Sequence, residues 1–252
     1  MRNLLILTVF ALYFWGCASS IDTVNLGAED RLKYALNLYE DEDYQEALNE
    51  LQSIILQFPG NTVVDNAQYY LGMTRYKRGE YILGAYEFSK LIKNYPASES
   101  ISDAQYMLAD CYYRLSPNFQ LDQQYTQKGI EEFQAFIDFF PADEKVAEAE
   151  QKITELNGKL AHKEYNTAVI YEKLEYYTAA LKYYENVLDI FHDSEYAPLA
   201  SYNKIKLLIY RDRNAEALEE ADRFLQKFPD SGRYSDVESL QSKLKTELSA
   251  SK

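Results

Sequence analysis

The composition of this 252-residue chain excludes some classes of protein before any motif is considered. Its 26 lysine and arginine residues are outnumbered by 40 aspartate and glutamate residues, which gives a net charge of −14 with no basic block. This balance argues against a nucleic-acid partner, because phosphates require clustered cations. The length allows two globular domains or one elongated repeat array, and apolar residues at helical spacing favour the array.

The first sixteen residues have the pattern of a targeting segment. Arg2 provides the positive end and Leu4 to Trp15 the apolar run. The run is shorter than the roughly 20 apolar residues that a membrane-spanning helix needs. Residues 1–16 are therefore predicted to be a signal peptide that is removed from the mature protein.

The junction Gly16-Cys17 resembles a bacterial lipobox, in which a cysteine follows a small residue at the end of the apolar run. This resemblance predicts that Cys17 is the acylated, mature N-terminus. Ala18 follows, and the absence of Asp at that position is typical of lipoproteins sorted to the outer membrane. Residues 17–27 are polar and unpatterned, which predicts a tether. The alternative is an ordinary secretory signal with an incidental cysteine.

A helix–turn–helix pattern is clearest between Leu71 and Pro96. Gly72 and Gly84 are small enough for two antiparallel helices to touch there, and Gly79 permits the left-handed backbone that ends a helix. Pro96 stops the second helix. This pattern predicts a hairpin of the tetratricopeptide kind, which cannot bury its apolar face without further copies.

Copies of this hairpin recur along the chain. Each ends in an aromatic residue followed by proline or its replacement, at Phe58-Pro59, Tyr95-Pro96, Phe140-Pro141, Phe191-His192 and Phe228-Pro229. A small residue stands twelve positions before each marker, at Ala47, Gly84, Gly129, Ala180 and Ala217. The first helices carry a second small position at Ala35, Gly72, Ala109 and Ala168, with Ile205 in the fifth copy. The intervals are near the ~34 residues of tetratricopeptide repeats.

The predicted fold is all-α, a tetratricopeptide-repeat solenoid of five helical hairpins plus a C-terminal capping helix. Residues 28–142 would hold repeats one to three, with an insertion at Ser116–Gln124 inside repeat three. Residues 143–252 would hold an extra helix over Asp143–Asn157, repeats four and five, and the capping helix over Arg233–Leu248. Gly158 either breaks the extra helix or merely weakens it.

Residues beyond the generic repeat pattern carry a more specific resemblance. They are Asp122, Ile130-Glu131-Glu132-Phe133, the spaced set Ile153, Leu156, Leu160-Ala161 and Glu164, and then Tyr171 and Tyr176-Tyr177 with Ala180. On these residues the chain resembles the BamD family, the tetratricopeptide lipoproteins of the outer-membrane β-barrel assembly machine. His192-Asp193-Ser194 departs from the family pattern of Tyr-Pro before Ser or Thr.

The resemblance implies a non-enzymatic adaptor that is lipid-anchored on the periplasmic face of the outer membrane. Its amino-terminal repeats would receive the C-terminal targeting segments of unfolded outer-membrane proteins. Its carboxy-terminal repeats would dock the periplasmic domains of the barrel-forming subunit and, in some cases, accessory assembly lipoproteins. Another tetratricopeptide lipoprotein scaffold, serving cell-envelope or division machinery, is the alternative.

Aligned first helices give a column of aromatic residues that suits such a segment. Tyr39, Tyr76 and Tyr113 recur every 37 residues, one heptad earlier stand Leu32, Tyr69 and Tyr106, and Glu40, Lys77 and Arg114 follow the column directly. First-helix positions line the concave surface of tetratricopeptide arrays. Tyrosine rings would bury a terminal aromatic residue, and Lys77 or Arg114 would meet a terminal carboxylate. The competing interpretation is that these rings only pack against the next repeat.

Repeats four and five carry Tyr165 and Tyr202 on their first helices, and with Lys206 they are candidates for a partner-docking surface. Catalytic chemistry finds no support, because no phosphate loop, nucleophile elbow or triad pattern appears. His162 and His192 lie 30 residues apart, which argues against a metal site, and no cofactor is predicted. A cell-wall enzyme with accessory repeats is disfavoured because no non-repeat domain is large enough.

Overall fold

The computed structural model describes residues 25–250, whose regular structure is eleven α-helices without a strand. The predicted signal peptide, the acylated Cys17 and most of the tether lie outside the described residues. The helices are α1 (Ala28–Glu40), α2 (Tyr44–Gln57), α3 (Val64–Lys77), α4 (Tyr81–Asn94), α5 (Ile101–Leu115), α6 (Gln124–Phe139), α7 (Val146–Lys173), α8 (Tyr177–Ile190), α9 (Tyr196–Tyr210), α10 (Asn214–Lys227) and α11 (Tyr234–Ala250).

Each helix packs against the next one in sequence, so α1 to α10 form five successive hairpins and α11 covers the last. In addition, the first helices of successive hairpins contact one another directly, α1 with α3, α5 with α7, and α7 with α9. We call the surface formed by α1, α3, α5, α7 and α9 the first-helix face. The arrangement confirms the predicted tetratricopeptide solenoid.

The predicted close approach at Gly72 and Gly84 is confirmed. A β-carbon added at Gly72 would lie 2.7 Å from the ring of Phe88, and one added at Gly84 would lie 3.4 Å from the Gly72 carbonyl oxygen. The first distance requires the Phe88 ring to move, and the β-carbon at Gly84 would also lie 3.2 Å from Cys111 Sγ, which is tighter than ordinary contact. Gly79 has a φ of +74°, as the hairpin turn requires. Non-glycine residues take this conformation at the corresponding turns, namely Glu42, Glu175 and Asp212.

A buried or partly buried polar pair joins the two helices inside most hairpins. The first-helix donor bonds a glutamate of the second helix in Arg31–Glu50 at 2.6 Å, Gln68–Glu87 at 2.7 Å, Gln105–Glu132 at 2.8 Å and Ser201–Glu220 at 2.5 Å. A buried carboxylate is tolerated only when it has such partners. These pairs therefore hold the register of the two helices in each hairpin.

Helix α7 is a single helix of 28 residues, which decides between the two alternatives that the sequence leaves open at Gly158. The predicted extra helix is continuous with the first helix of repeat four, because Gly158 does not break it. A glycine inside a helix costs about 1 kcal/mol relative to alanine, which the strong helix formers around it offset. At 1.5 Å per residue, α7 is about 42 Å long. Its N-terminal half packs on repeat three and its C-terminal half on repeats four and five.

The insertion at residues 116–124 folds onto α7. Lys159 Nζ donates to Ser116 Oγ at 2.7 Å, and Lys163 Nζ donates to the Leu121 carbonyl oxygen at 2.5 Å. The Phe119 ring stacks on His162 with centroids 3.6 Å apart. The insertion thus adds a third segment to the packing between repeats three and four.

Candidate functional site

The tyrosine column lies on the first-helix face, where each ring is partly buried and reaches the next repeat. The contacts are the Tyr39 ring against Tyr70 at 5.4 Å, the Tyr76 hydroxyl to Asp110 Oδ2 at 2.5 Å, and the Tyr113 hydroxyl to Glu155 Oε2 at 2.7 Å. The packing interpretation therefore accounts for part of each ring. The remaining surface of these three rings stays open to solvent.

Arg114 is held in place beside Tyr76. Its Nε donates to the Tyr76 hydroxyl oxygen at 3.0 Å and lies 3.5 Å from Asp110 Oδ2. The side chain is 50% exposed, and its two terminal nitrogens make no hydrogen bond within residues 25–250. Lys77 is exposed and forms no ion pair in the same part of the chain. The guanidinium is thus oriented through one nitrogen while its terminal fork faces solvent.

An ion pair between the buried Asp110 and the partly buried Lys152 supports this arrangement. Asp110 is 3% exposed and accepts hydrogen bonds from Tyr76 and, at 2.5 Å, from Lys152 Nζ. Lys152 also donates to the Tyr106 hydroxyl at 2.7 Å and pairs with Glu148 at 3.0 Å. Burial acts to lower the pKa of Lys152, but the bonds to Asp110 and Tyr106 outweigh it and the pKa is raised. The lysine is therefore charged at neutral pH.

Sequence reasoning missed both members of this pair. Lys152 belongs to the charged stretch that was predicted as an extra helix, and nothing in that stretch marks one lysine as buried. Asp110 gave a weak signal, since it stands between the small residues Ala109 and Cys111 on a packed helix. A carboxylate in such a position needs a cationic partner.

The structure places Tyr106 in the interior instead of on the open face. It is 7% exposed, and its ring packs edge-on against Phe133 at 5.7 Å and Phe136 at 5.4 Å. The reason is that α6 and Lys152 of α7 cover this end of α5. Tyr69 is partly buried against Tyr70 and Phe88. For Tyr106 the packing interpretation holds, and peptide contact is not proposed for it.

The predicted docking residues of repeats four and five lie farther along the first-helix face. The Tyr165 hydroxyl accepts a hydrogen bond from Asn203 Nδ2 at 2.9 Å. The Tyr202 ring lies between two cations, with Lys206 Nζ at 5.5 Å and the Arg233 guanidinium at 5.0 Å from its centroid. Lys206 is exposed. Both cations therefore contact the Tyr202 ring while their charges face solvent.

A group of exposed apolar side chains surrounds the turn between α7 and α8. We call it the turn cluster and define it as Ile170, Leu174, Tyr176 and Tyr210, which are 47% to 68% exposed. The neighbouring Tyr177 ring contacts Tyr210 at 5.5 Å, which links α8 to the end of α9. Contiguous exposed apolar side chains of this kind mark interaction surfaces. No periodic pattern in the sequence had singled them out.

Other chemistry is limited in the described residues. Residues 25–250 contain no group of three metal-ligating side chains. Burial raises the pKa of Cys111 to about 12, so its thiol is unreactive at neutral pH. None of the helices between residues 25 and 250 combines the length and apolarity of a membrane span.

Comparison with known families matches residues 28–213 to the YfiO family, described as an outer membrane lipoprotein. The outer membrane protein assembly factor BamD of Rickettsia prowazekii is 26% identical, covering 91% of this chain and 92% of its own. The putative outer membrane protein assembly factor BamD of Aquifex aeolicus is 26% identical, covering 84% and 72%. The solved P58(IPK) TPR domain has 14% identity and a TM-score of 0.45, covering 88% and 56%. The family match runs from the first residue of α1 to the residue before α10.

Proposed function

Because this chain belongs to the YfiO family of outer membrane lipoproteins, and its curated relatives are outer membrane protein assembly factors, we propose that it is the adaptor of a β-barrel assembly complex. Its role in outer-membrane protein assembly is non-enzymatic. In this proposal Cys17 carries the lipid, the repeats lie on the periplasmic face, and two surfaces bind different partners.

The first surface comprises Tyr39, Tyr76, Tyr113 and the two cations beside them, and its ligand is the C-terminal segment of an unfolded outer-membrane protein. The observation that carries this proposal is the geometry of Arg114. Its Nε is held by Tyr76 while its terminal nitrogens are free to donate to a carboxylate. Two parallel N–H···O bonds to a carboxylate are among the stronger hydrogen bonds in proteins. Lys77 adds a second, exposed cation for the approach of the anionic end.

The tyrosine rings supply the apolar part of the same site. Tyr76, which bonds Arg114, and Tyr113, which precedes it in the chain, both keep part of their rings exposed. A terminal phenylalanine can pack against a tyrosine ring edge-to-face, which contributes about 0.5–1.5 kcal/mol beyond area burial. Burial of Tyr76 and its bond to Asp110 raise its pKa, so the hydroxyl stays protonated and keeps Asp110 occupied.

The second surface lies on repeats four and five and would dock the barrel-forming subunit and accessory lipoproteins. Support comes from the turn cluster, which exposes four large apolar side chains, and from Tyr202 and Lys206 on the first-helix face. Aromatic residues and arginine are enriched at protein–protein interfaces, and Arg233 also lies over the Tyr202 ring.

The peptide proposal is tested by fluorescence anisotropy with a labelled peptide that ends in Phe. We expect a free terminal carboxylate to bind about tenfold more tightly than the same peptide amidated, because the amide loses the paired charge. Arg114→Gln should remove this difference. The double variant Tyr76→Ala/Tyr113→Ala should weaken both peptides.

Lys206→Gln is the matched control, since it removes an exposed cation from the other surface of the same molecule. Circular dichroism confirms that each variant keeps its helical content. Unchanged affinity in the Tyr76→Ala/Tyr113→Ala variant, with the fold intact, would show that the peptide binds elsewhere. Equal binding of the carboxylate and amide peptides would remove the role assigned to Arg114.

A further inference from the structure

A cleft between repeats three and four has no part in the function proposed above. It is lined by the insertion residues 116–119, by α7 from Thr154 to His162, and by the α8–α9 connection at residues 193–196, and its volume is about 730 Å³. A smaller cavity of about 170 Å³, lined in part by Ile190 and Phe191, adjoins it across Gly158. We call the two together the Gly158 cleft. The larger volume lies in the range of known ligand sites.

Gly158 forms the floor of this cleft, and packing does not require a glycine there. A β-carbon added to it would meet no atom within 4 Å, in contrast to Gly72 and Gly84. Glycine in a helix interior costs about 1 kcal/mol relative to alanine. Because Gly158 has no side chain, the space above this part of α7 is open. A leucine at this position would project into the cleft.

One wall of the cleft is a stack of three rings. Phe119 of the insertion, His162 of α7 and Tyr196 of α9 lie nearly parallel, with successive centroids 3.6 Å and 4.6 Å apart. The stack joins three separate segments of the chain into one surface. A planar aromatic wall of this kind suits a flat side chain that can stack on it or along its edge.

The charged groups around the cleft are mainly acidic. Glu155, Asp193 and Glu195 line it, against the single cation Lys159, whose amino group already donates to Ser116 Oγ. Glu155 accepts the Tyr113 hydroxyl and Asp193 lies 2.8 Å from His192 Nδ1, yet each carboxylate keeps further acceptor positions. The balance favours a cationic ligand.

We propose that the Gly158 cleft binds an extended segment of a partner protein that presents an arginine side chain flanked by apolar residues. A guanidinium stacks on aromatic rings and forms forked hydrogen bonds to carboxylates, and both kinds of partner line the cleft. The exposed Ile190 at the adjoining cavity provides an apolar contact for a neighbouring side chain. This inference does not depend on the tyrosine column or on the turn cluster.

The probe is a short fluorescein-labelled peptide with Phe-Arg-Phe between Gly-Ser linkers and both ends blocked. Because it has no terminal carboxylate, it does not test the site at Arg114. A matched peptide carries citrulline, the neutral analogue, in place of arginine. We expect saturable binding of the arginine peptide and about tenfold weaker binding of the citrulline peptide, since the charged hydrogen bonds are lost.

Gly158→Leu should weaken the arginine peptide at least about tenfold without lowering the thermal unfolding midpoint, because leucine favours the helix and fills open space. Gln151→Leu places the same side chain on exposed α7 surface outside the cleft and should bind like the wild type. Asp193→Asn/Glu195→Gln should reduce the preference for arginine over citrulline. Absence of saturable binding, equal affinity for the two peptides, or full affinity in Gly158→Leu overturns the proposal.

Discussion

The first-helix face differs between the two halves of the molecule, although both halves are built from the same hairpin. In repeats two and three its tyrosine hydroxyls bond charged residues of the next repeat, and a partly buried lysine–aspartate pair lies beneath them. In repeats four and five, Tyr165 meets the neutral Asn203, and the buried cation Lys204 pairs with Glu185 and Glu220 between the hairpins. Apolar side chains are also exposed at the α7–α8 turn.

The direction of the polar groups decides what each surface can recognise. Where a tyrosine hydroxyl holds one end of an arginine, the other end is presented in a fixed position to an anion. At the α7–α8 turn the outer residues are apolar and suit a protein interface. Both halves use the same hairpin, so the hairpin fold does not determine which kind of surface it carries. Four experiments test this contrast between the two halves.

The largest effect is expected from Lys152→Met. It leaves the buried Asp110 and the Tyr106 hydroxyl without their main partner, so the free energy of unfolding should fall by about 2–4 kcal/mol. Lys206→Met is the matched control, since Lys206 also lies over a tyrosine ring but is exposed, and its loss should change stability by less than about 0.5 kcal/mol. Urea titration measures both. Equal losses would contradict the contrast between the two halves.

A smaller effect is expected from Tyr76→Phe. The ring remains but the hydroxyl that orients Arg114 is removed, so the affinity for a peptide ending in Phe should fall about fivefold, close to 1 kcal/mol. Tyr113→Phe is the control, because its hydroxyl bonds Glu155 and not the arginine. Peptide titration by fluorescence anisotropy separates the two variants. An equal loss in both would mean that the hydroxyl of Tyr76 has no special role.

Acid should weaken the N-terminal half through Glu148. Hydrogen bonds from Tyr106 and Lys152 lower the pKa of this carboxyl below its ordinary 4.5. A group with a depressed folded pKa stabilises the fold above the unfolded pKa, and this contribution disappears as the pH falls through the folded pKa. Because Glu148 is 57% exposed, screening limits the effect to below about 1 kcal/mol.

Glu148→Gln should therefore flatten the loss of stability below pH 4.5, measured as the urea midpoint at several pH values. Glu150→Gln, on the exposed surface of the same helix, serves as the control. A Glu148→Gln curve that runs parallel to the wild-type curve through the acid range would contradict this assignment.

The smallest effect on stability is expected from Leu174→Ser/Tyr176→Ser in the turn cluster. Both side chains are more than half exposed, so the free energy of unfolding should change by less than about 0.5 kcal/mol. Docking to the barrel-forming subunit should nevertheless be lost in a pull-down from solubilised outer membrane. Retained docking in a folded variant would place the partner surface elsewhere, for example around Tyr202.

Sequence reasoning predicted the hairpins well because their signals are local. Gly72, Gly84 and the terminal prolines fix where helices touch and stop, and the structure confirms them. The repeat period also predicts which residues of the first helices form the tyrosine column. These features depend on neighbours within one hairpin, which a repeat pattern reports directly.

The sequence could not report contacts between residues far apart in the chain. The Lys152–Asp110 pair joins positions 42 residues apart, and its formation depends on how α7 crosses α5. The burial of Tyr106 has the same origin, because Phe133 and Phe136 cover it only after the hairpins stack. The sequence does not decide the continuity of α7 through Gly158, because a glycine costs only about 1 kcal/mol and the helix formers around it offset that cost.

The shared helix α7 makes the angle between the two binding surfaces a property of one backbone. Each residue of an α-helix turns the chain by about 100° and advances it by 1.5 Å. Inserting a single alanine near Gly158 would therefore swing everything beyond it by about 100° while leaving the interior of each half intact. The relative orientation of peptide and partner is encoded in the number of residues along this one helix, and natural length variation there would be far more disruptive than substitution.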